Sequence, residues 1–181
     1  RSSYRKQDII VIVIGVTVSV LRKGETVTAF GGLYVASPAV DVMKVILAFG
    51  TIIVAIMSQS WVETRQRIAG EFYMLILSTL LGMFVMMSSG NFLLFFLGLE
   101  MASVPLACMV AFDKTRNSAE GAAKYILVAT FSSGVMLFGI SFIYAATGTL
   151  YFDDVAANIP AEPLTIMGLV FFFSVLGFKI S

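Results

Sequence analysis

The chain has no histidine and one cysteine, Cys108. Those two residue types supply the usual ligands of zinc, haem iron and iron–sulfur clusters, so none of these centres has a ligand set here. A disulfide within the chain is impossible. Charge is scarce as well: only 13% of the 181 residues are Asp, Glu, Lys or Arg, against about a quarter in a soluble domain. The formal net charge of +1 offers no basic surface to nucleic acid. Neither GxGxxG nor GxxxxGK[ST] occurs, so no nucleotide-binding loop is visible. No cofactor is expected in this chain, and any redox group working with it is expected elsewhere.

What remains is apolar. Hydrophobic residues make up 59% of the chain, and the mean hydropathy is +0.95. Apolar stretches recur about every 30 residues, each near the ~20 residues that cross a bilayer. Lipid tolerates only helices or closed barrels, and these runs lack the two-residue alternation of barrel strands. The expectation is an all-α polytopic transmembrane bundle of about six spanning helices. They fall at about Asp8–Leu21, Val42–Ser58, Phe72–Ser88, Asn91–Phe112, Ala119–Ala146 and from Leu164 to Ser181. No soluble domain fits between them, so residues 1–181 read as a single bundle.

The connections carry their own signals. "TVTAFGGLYVAS" (Thr26–Ser37) places β-branched and aromatic residues on either side of Gly31-Gly32, which reads as a small surface β-hairpin. "SSGN" (Ser88–Asn91) is a tight turn. In "DKTRNSAEG" (Asp113–Gly121), Asn117 and Glu120 have the spacing of a capping box. Residues Gln59–Glu71 and Thr147–Pro163 read as loops. If successive loops alternate sides, one side holds Arg1, Arg5, Lys6, Arg65, Arg67, Lys114 and Arg116, and the other only Arg22 and Lys23. Basic residues favour the cytoplasmic side, so the first residue is expected there. No initiator Met or signal peptide opens the chain, and "SVLGFKIS" ends about 18 residues into a spanning stretch of ~20. A fragment of a longer bundle is expected.

Four charged residues lie inside the spans: Lys44, Glu100, Lys124 and Lys179. Each ionised group at a helix centre costs about 2.5–3.5 kcal/mol on insertion scales. Lys44 is three residues from Asp41 and can pair with it or snorkel to the surface. Glu100 lies about 14 Å along its helix, near mid-membrane, too short to snorkel. Ser103 shares its face, and a neutral, hydrogen-bonded glutamate is its bland reading. Lys124, about 9 Å into its helix, has Glu120 four residues earlier, and a surface ion pair would explain both. Lys179 sits deep in the last span behind Gly177; its bland reading is a lysine snorkelling to the inner interface. The sharper reading joins Glu100 and Lys124, which these counts set at similar depths on consecutive helices. Burial favours the neutral form of either group and a nearby opposite charge favours the charged form, so a Glu that approaches or leaves a Lys switches the proton affinity of both.

The segments holding "LGLE" (Leu97–Glu100), "SAEGAAKY" (Ser118–Tyr125) and "LGFKIS" (Leu176–Ser181) resemble the antiporter-like membrane subunits of respiratory complex I, the first two being most like the subunit N type. The resemblance covers nearly the whole chain and strengthens after Glu71. It implies a proton-translocating role within NADH:quinone oxidoreductase. It also implies a fold of about fourteen helices in inverted repeats, of which this chain would hold most of the first repeat, with a discontinuous last helix. It matches Glu100 to the glutamate that pairs with the pumping lysine, Lys179 to the lysine of the broken helix and Lys124 to the lysine between them. The implied partners are the other membrane subunits, the lipid of an energy-transducing membrane and, indirectly, the peripheral redox subunits; the chain alone would carry no catalysis. "PLACM" (Pro105–Met109) departs from the family's frequent aromatic there, which touches packing rather than protonation. A multi-subunit cation/proton antiporter without redox chemistry is the alternative, and a packing subunit with inactive charges is a third reading.

Overall fold

The computed structural model describes residues 26–64, 69–157, 159, 160 and 162–180. The span expected at Asp8–Leu21 lies outside them. Two short strands, β1 (Val27–Ala29) and β2 (Tyr34–Ala36), open the described chain, followed by helices α1 (Pro38–Met57), α2 (Gln59–Glu63), α3 (Ala69–Met87), α4 (Phe92–Val110), α5 (Arg116–Thr147), α6 (Phe152–Ala157) and α7 (Pro163–Ile180). Helices α1, α3, α4, α5 and α7 are long and apolar enough to cross a membrane. In α4 only 17% of the apolar window is buried within the chain, so most of that surface is built to meet lipid or other helices rather than water.

Local chemistry sets the helix ends. Ser37 caps α1 by accepting from the Val40 amide at 3.4 Å, with Pro38 in the first turn, where its missing N–H costs nothing. Asn91 caps α4 through its side-chain oxygen, which accepts from Leu93 N at 2.7 Å. The box that opens α5 is not Asn117/Glu120 but Thr115/Ser118. The two hydroxyls satisfy each other's backbone amides two residues nearer the N-terminus, and Glu120 is left free for another partner. Gly148 ends α5 in the left-handed conformation, φ 72°, as glycine does at a helix C-terminus. Two expected loops contain short helices, α2 and α6. Asp153 and Asp154 in the first turn of α6 suit the positive end of its dipole.

Glycines let the long helices touch through their backbones. A Cβ on Gly82 of α3 would lie 2.5 Å from Ala102 N, and one on Gly98 of α4 2.5 Å from Met86 N. The α5–α7 crossing is similar: a Cβ on Gly139 would meet Gly168 O at 2.8 Å. Lipid gives no hydrophobic drive between helices, so close approach at small residues supplies the packing energy. Aromatic clusters pin the bundle at both ends. Phe92 of α4 meets Phe152 of α6 at 4.6 Å and Phe172 of α7 at 5.1 Å, over buried Met136, Ile140 and Ile143 of α5. Away from that end, Phe72 packs against Trp61 and Phe112, each at 5.7 Å.

The β1–β2 hairpin pairs Val27 with Ala36 and Ala29 with Tyr34. It is stitched to the α3–α4 turn: Val35 N donates to Ser88 O at 2.7 Å and Gly90 N to Leu33 O at 2.8 Å. That turn is tied in its turn to the stretch before α6, with Phe92 N donating to Leu150 O at 3.0 Å and Phe152 N to Gly90 O at 3.1 Å. One end of the bundle therefore has a continuous hydrogen-bonded cap across three connections.

Candidate functional site

Helices α4, α5 and α7 each contribute one polar side chain to a common point. Lys179 Nζ donates to Glu100 Oε1 at 3.1 Å. Ser133 Oγ donates to the same carboxylate oxygen, and Lys179 Nζ also lies 3.3 Å from Ser133 Oγ. Ser133 is buried, while the Lys179 and Glu100 side chains are 14% and 28% exposed. The Gly139–Gly168 contact brings α5 and α7 close enough for Ser133 and Lys179 to meet. Helix α7 runs unbroken through Gly177 to Ile180, so the discontinuity expected in the last helix is not found in its described part. Glycine lowers helix propensity, but a kink needs a further cause such as proline or an inserted group.

Glu100 and Lys124 are not neighbours. Lys124 pairs with Glu120 at 2.6 Å on the exposed face of α5. Ser133, which touches Glu100, lies nine residues further along α5, about 13.5 Å at the helical rise. The similar depths expected for Glu100 and Lys124 fail because α5 has 32 residues and begins about 10 Å beyond the end of α4. Ser103 does not serve Glu100 either; its hydroxyl donates back to Leu99 O at 2.8 Å.

Lys44 is buried rather than snorkelling. It donates to Tyr34 Oη at 2.9 Å, lies 5.0 Å from the centre of that ring and 3.9 Å from Asp41. Tyr34 belongs to the hairpin, which covers the lysine with an aromatic face and a polar tip. Sequence reasoning also missed Ser133. Its signal was the pair Ser132-Ser133 in the middle of an apolar span, since hydroxyls at that depth usually face a neighbouring helix.

A half-buried lysine–glutamate pair joins two spanning helices, with a serine of a third beside it, so the chain is a membrane protein with ionisable groups held inside its helix bundle. Residues 89–181, half of the chain, match the model of the NADH:quinone oxidoreductase/Mrp antiporter transmembrane family. The chain belongs to that family and is an integral membrane protein with an antiporter-like fold. It is 56% identical over 161 residues to NADH-quinone oxidoreductase subunit N of Phocaeicola vulgatus, covering 87% of this chain and 34% of that protein. It is 48% identical over 156 residues to the protein of the same name from Azobacteroides pseudotrichonymphae, covering 84% of this chain and 32% of that one. The chain thus spans about a third of the length of these curated relatives. Its fold superimposes on a chain of respiratory complex I from Thermus thermophilus with bound aureothin, with a TM-score of 0.83, 25% identity and coverage of 98% of this chain and 38% of that one. A chain of an archaeal membrane-bound sulfane sulfur reductase shares the fold alone, with a TM-score of 0.77, 23% identity and coverage of 94% and 38%.

Proposed function

We propose that this chain is part of a proton-translocating membrane subunit of NADH:quinone oxidoreductase, and that Glu100 and Lys179 are its switchable pair. The observation that carries the reading is the Glu100–Lys179 contact at 3.1 Å in a chain of this family. Two ionised groups at this depth are costly apart, since each charge inside a span costs about 2.5–3.5 kcal/mol on insertion scales. Together their opposite charges offset each other. In the proposed step a proton passes from Lys179 Nζ to the Glu100 carboxylate it touches, which leaves both groups neutral and the pair's net charge unchanged. Quinone reduction in other subunits would drive that step.

Lys124 enters this reading as a further station for the proton. Its support is the resemblance of "SAEGAAKY" to the family, because its own ion pair with Glu120 faces outward. The chain itself would hold no redox cofactor. Its partners would be the other membrane subunits, the surrounding lipid and, through them, the peripheral redox subunits. The asymmetry of Lys and Arg among the loops supports a cytoplasmic first residue.

The test is proton translocation per NADH oxidised in membranes carrying the full-length subunit with Glu100→Gln, with assembly checked on native gels. Electron flow and pumping should both fall while assembly holds. Normal values of both would make Glu100 a packing residue and end the reading. The family also contains cation/proton antiporters. Copurification without flavin and iron–sulfur subunits would move the proposal to that class.

A further inference from the structure

We propose that Ser133 is a two-position hydrogen-bond switch that lets the Glu100–Lys179 pair pass between its charged and neutral forms. The inference rests on reading that pair as the translocating site. A serine hydroxyl has one hydrogen to donate and two lone pairs to accept with. Ser133 Oγ is within reach of three groups: Glu100 Oε1, Ala129 O at 2.8 Å and Lys179 Nζ at 3.3 Å. An ionised Glu100 and the Ala129 carbonyl only accept, and an ammonium only donates. One hydrogen cannot satisfy both acceptors, so the hydroxyl has two positions.

In the first position Glu100 is a carboxylate. Ser133 donates to Oε1 and accepts from the Lys179 ammonium. In the second, a proton has moved from Lys179 Nζ to Glu100 Oε1, leaving an amine and a carboxylic acid; the cluster has zero net charge before and after. The acid now has a hydrogen to place. Pointed back at the amine, it returns. Pointed at Ser133 Oγ, it is held, and the serine hydrogen turns to Ala129 O. Serine keeps its own hydrogen throughout and each polar group keeps a partner in both positions. Ser133 is thus a positioning residue, acting through Glu100. Ala129 is the fourth residue before Ser133 on α5, so the second position uses a back-bond that serines in membrane helices readily form.

The experiment uses the full-length subunit in its assembled complex in native membranes, with Ser133→Ala, Ser133→Thr and Glu100→Gln. Two readouts are taken: protons translocated per electron, and the infrared carboxyl band assigned to Glu100 by its loss in Glu100→Gln. Ser133→Ala is expected to shift that band and to lower the proton yield several-fold. Ser133→Thr, which keeps the hydroxyl, should restore both. An unmoved band in Ser133→Ala, or an equal fall in yield in the Ala and Thr variants, assigns Ser133 to packing and overturns the switch. In that case a defective Glu100→Gln leaves the translocating pair standing. If Glu100→Gln pumps normally, the pair and the switch fall together.

Discussion

Replacing Gly139 by alanine adds one methyl group at a point of close approach between α5 and α7. The new Cβ would lie 2.8 Å from Gly168 O and 3.0 Å from both Phe171 Cβ and Phe172 N. Two of those neighbours are backbone atoms, which cannot rotate aside. An unstrained contact needs about 3.5 Å, so the helices must part by about 0.7 Å. Overpacking of this kind costs about 1–3 kcal/mol. It also carries Lys179 away from Ser133. Their 3.3 Å contact would lengthen to about 4.0 Å, outside hydrogen-bond range. Gly134, on the same helix and next to Ser133, is the control. Nothing lies within 4 Å of a Cβ there, so alanine should stabilise by about 0.5–1 kcal/mol through helix propensity. The assay is unfolding of the full-length protein in detergent, followed by circular dichroism. Gly139→Ala should lower stability and Gly134→Ala raise it, a separation of about 2 kcal/mol from two identical chemical changes. Shifts of the same sign and size would mean that the close α5–α7 approach does not hold the bundle, and the account of how Ser133 and Lys179 meet would fail with it.

Three further outcomes are expected. At Gly90 an added Cβ would fall 2.2 Å from Gly32 O and 2.9 Å from Val35 Cγ2, so Gly90→Ala should break the cap, cost about 1–3 kcal/mol and speed amide exchange at Val35 and Phe152; unchanged exchange there refutes the tie. Tyr34→Phe removes the hydroxyl that accepts from buried Lys44 and should cost about 1–3 kcal/mol. Adding Lys44→Met should recover part of that loss, and strictly additive effects in a double-mutant cycle would show that the two are not coupled. Lys124→Gln breaks only an exposed ion pair and should change stability by less than about 0.5 kcal/mol, so a fall in proton yield in that variant, at normal assembly, is the result that would put Lys124 on the proton path.

Spanning helices were legible because lipid imposes a simple rule on composition: the four segments expected between Val42 and Ala146 each became a helix shifted by a few residues, and the last began at Pro163 rather than Leu164. The hairpin was legible because Gly31 and Gly32 take positive φ, 67° and 89°, which glycine adopts freely. Depth was not legible. A residue count measures distance from the helix's own start, and neighbouring helices need not start level. Because α5 begins about 10 Å beyond the end of α4, Lys124 lies about two and a half turns away from Glu100. The partner that does reach Glu100 lies 79 residues away in sequence, a separation at which no periodicity carries information; a charge inside a span marked Lys179 as a candidate, but only the likeness of "LGFKIS" to a family segment gave it a role beside the glutamate. Ser133 had only the weak signal of the Ser132-Ser133 pair, which a serine bonding back to its own turn would explain equally well. Its hydroxyl does that too, and the geometry adds what sequence leaves out: the same oxygen sits beside a carboxylate and an ammonium from two other helices. Local bonding and long-range placement thus converge on one atom whose single hydrogen must choose. That choice, rather than the presence of charge in the membrane, is the feature of this site that mutation of one hydroxyl can isolate.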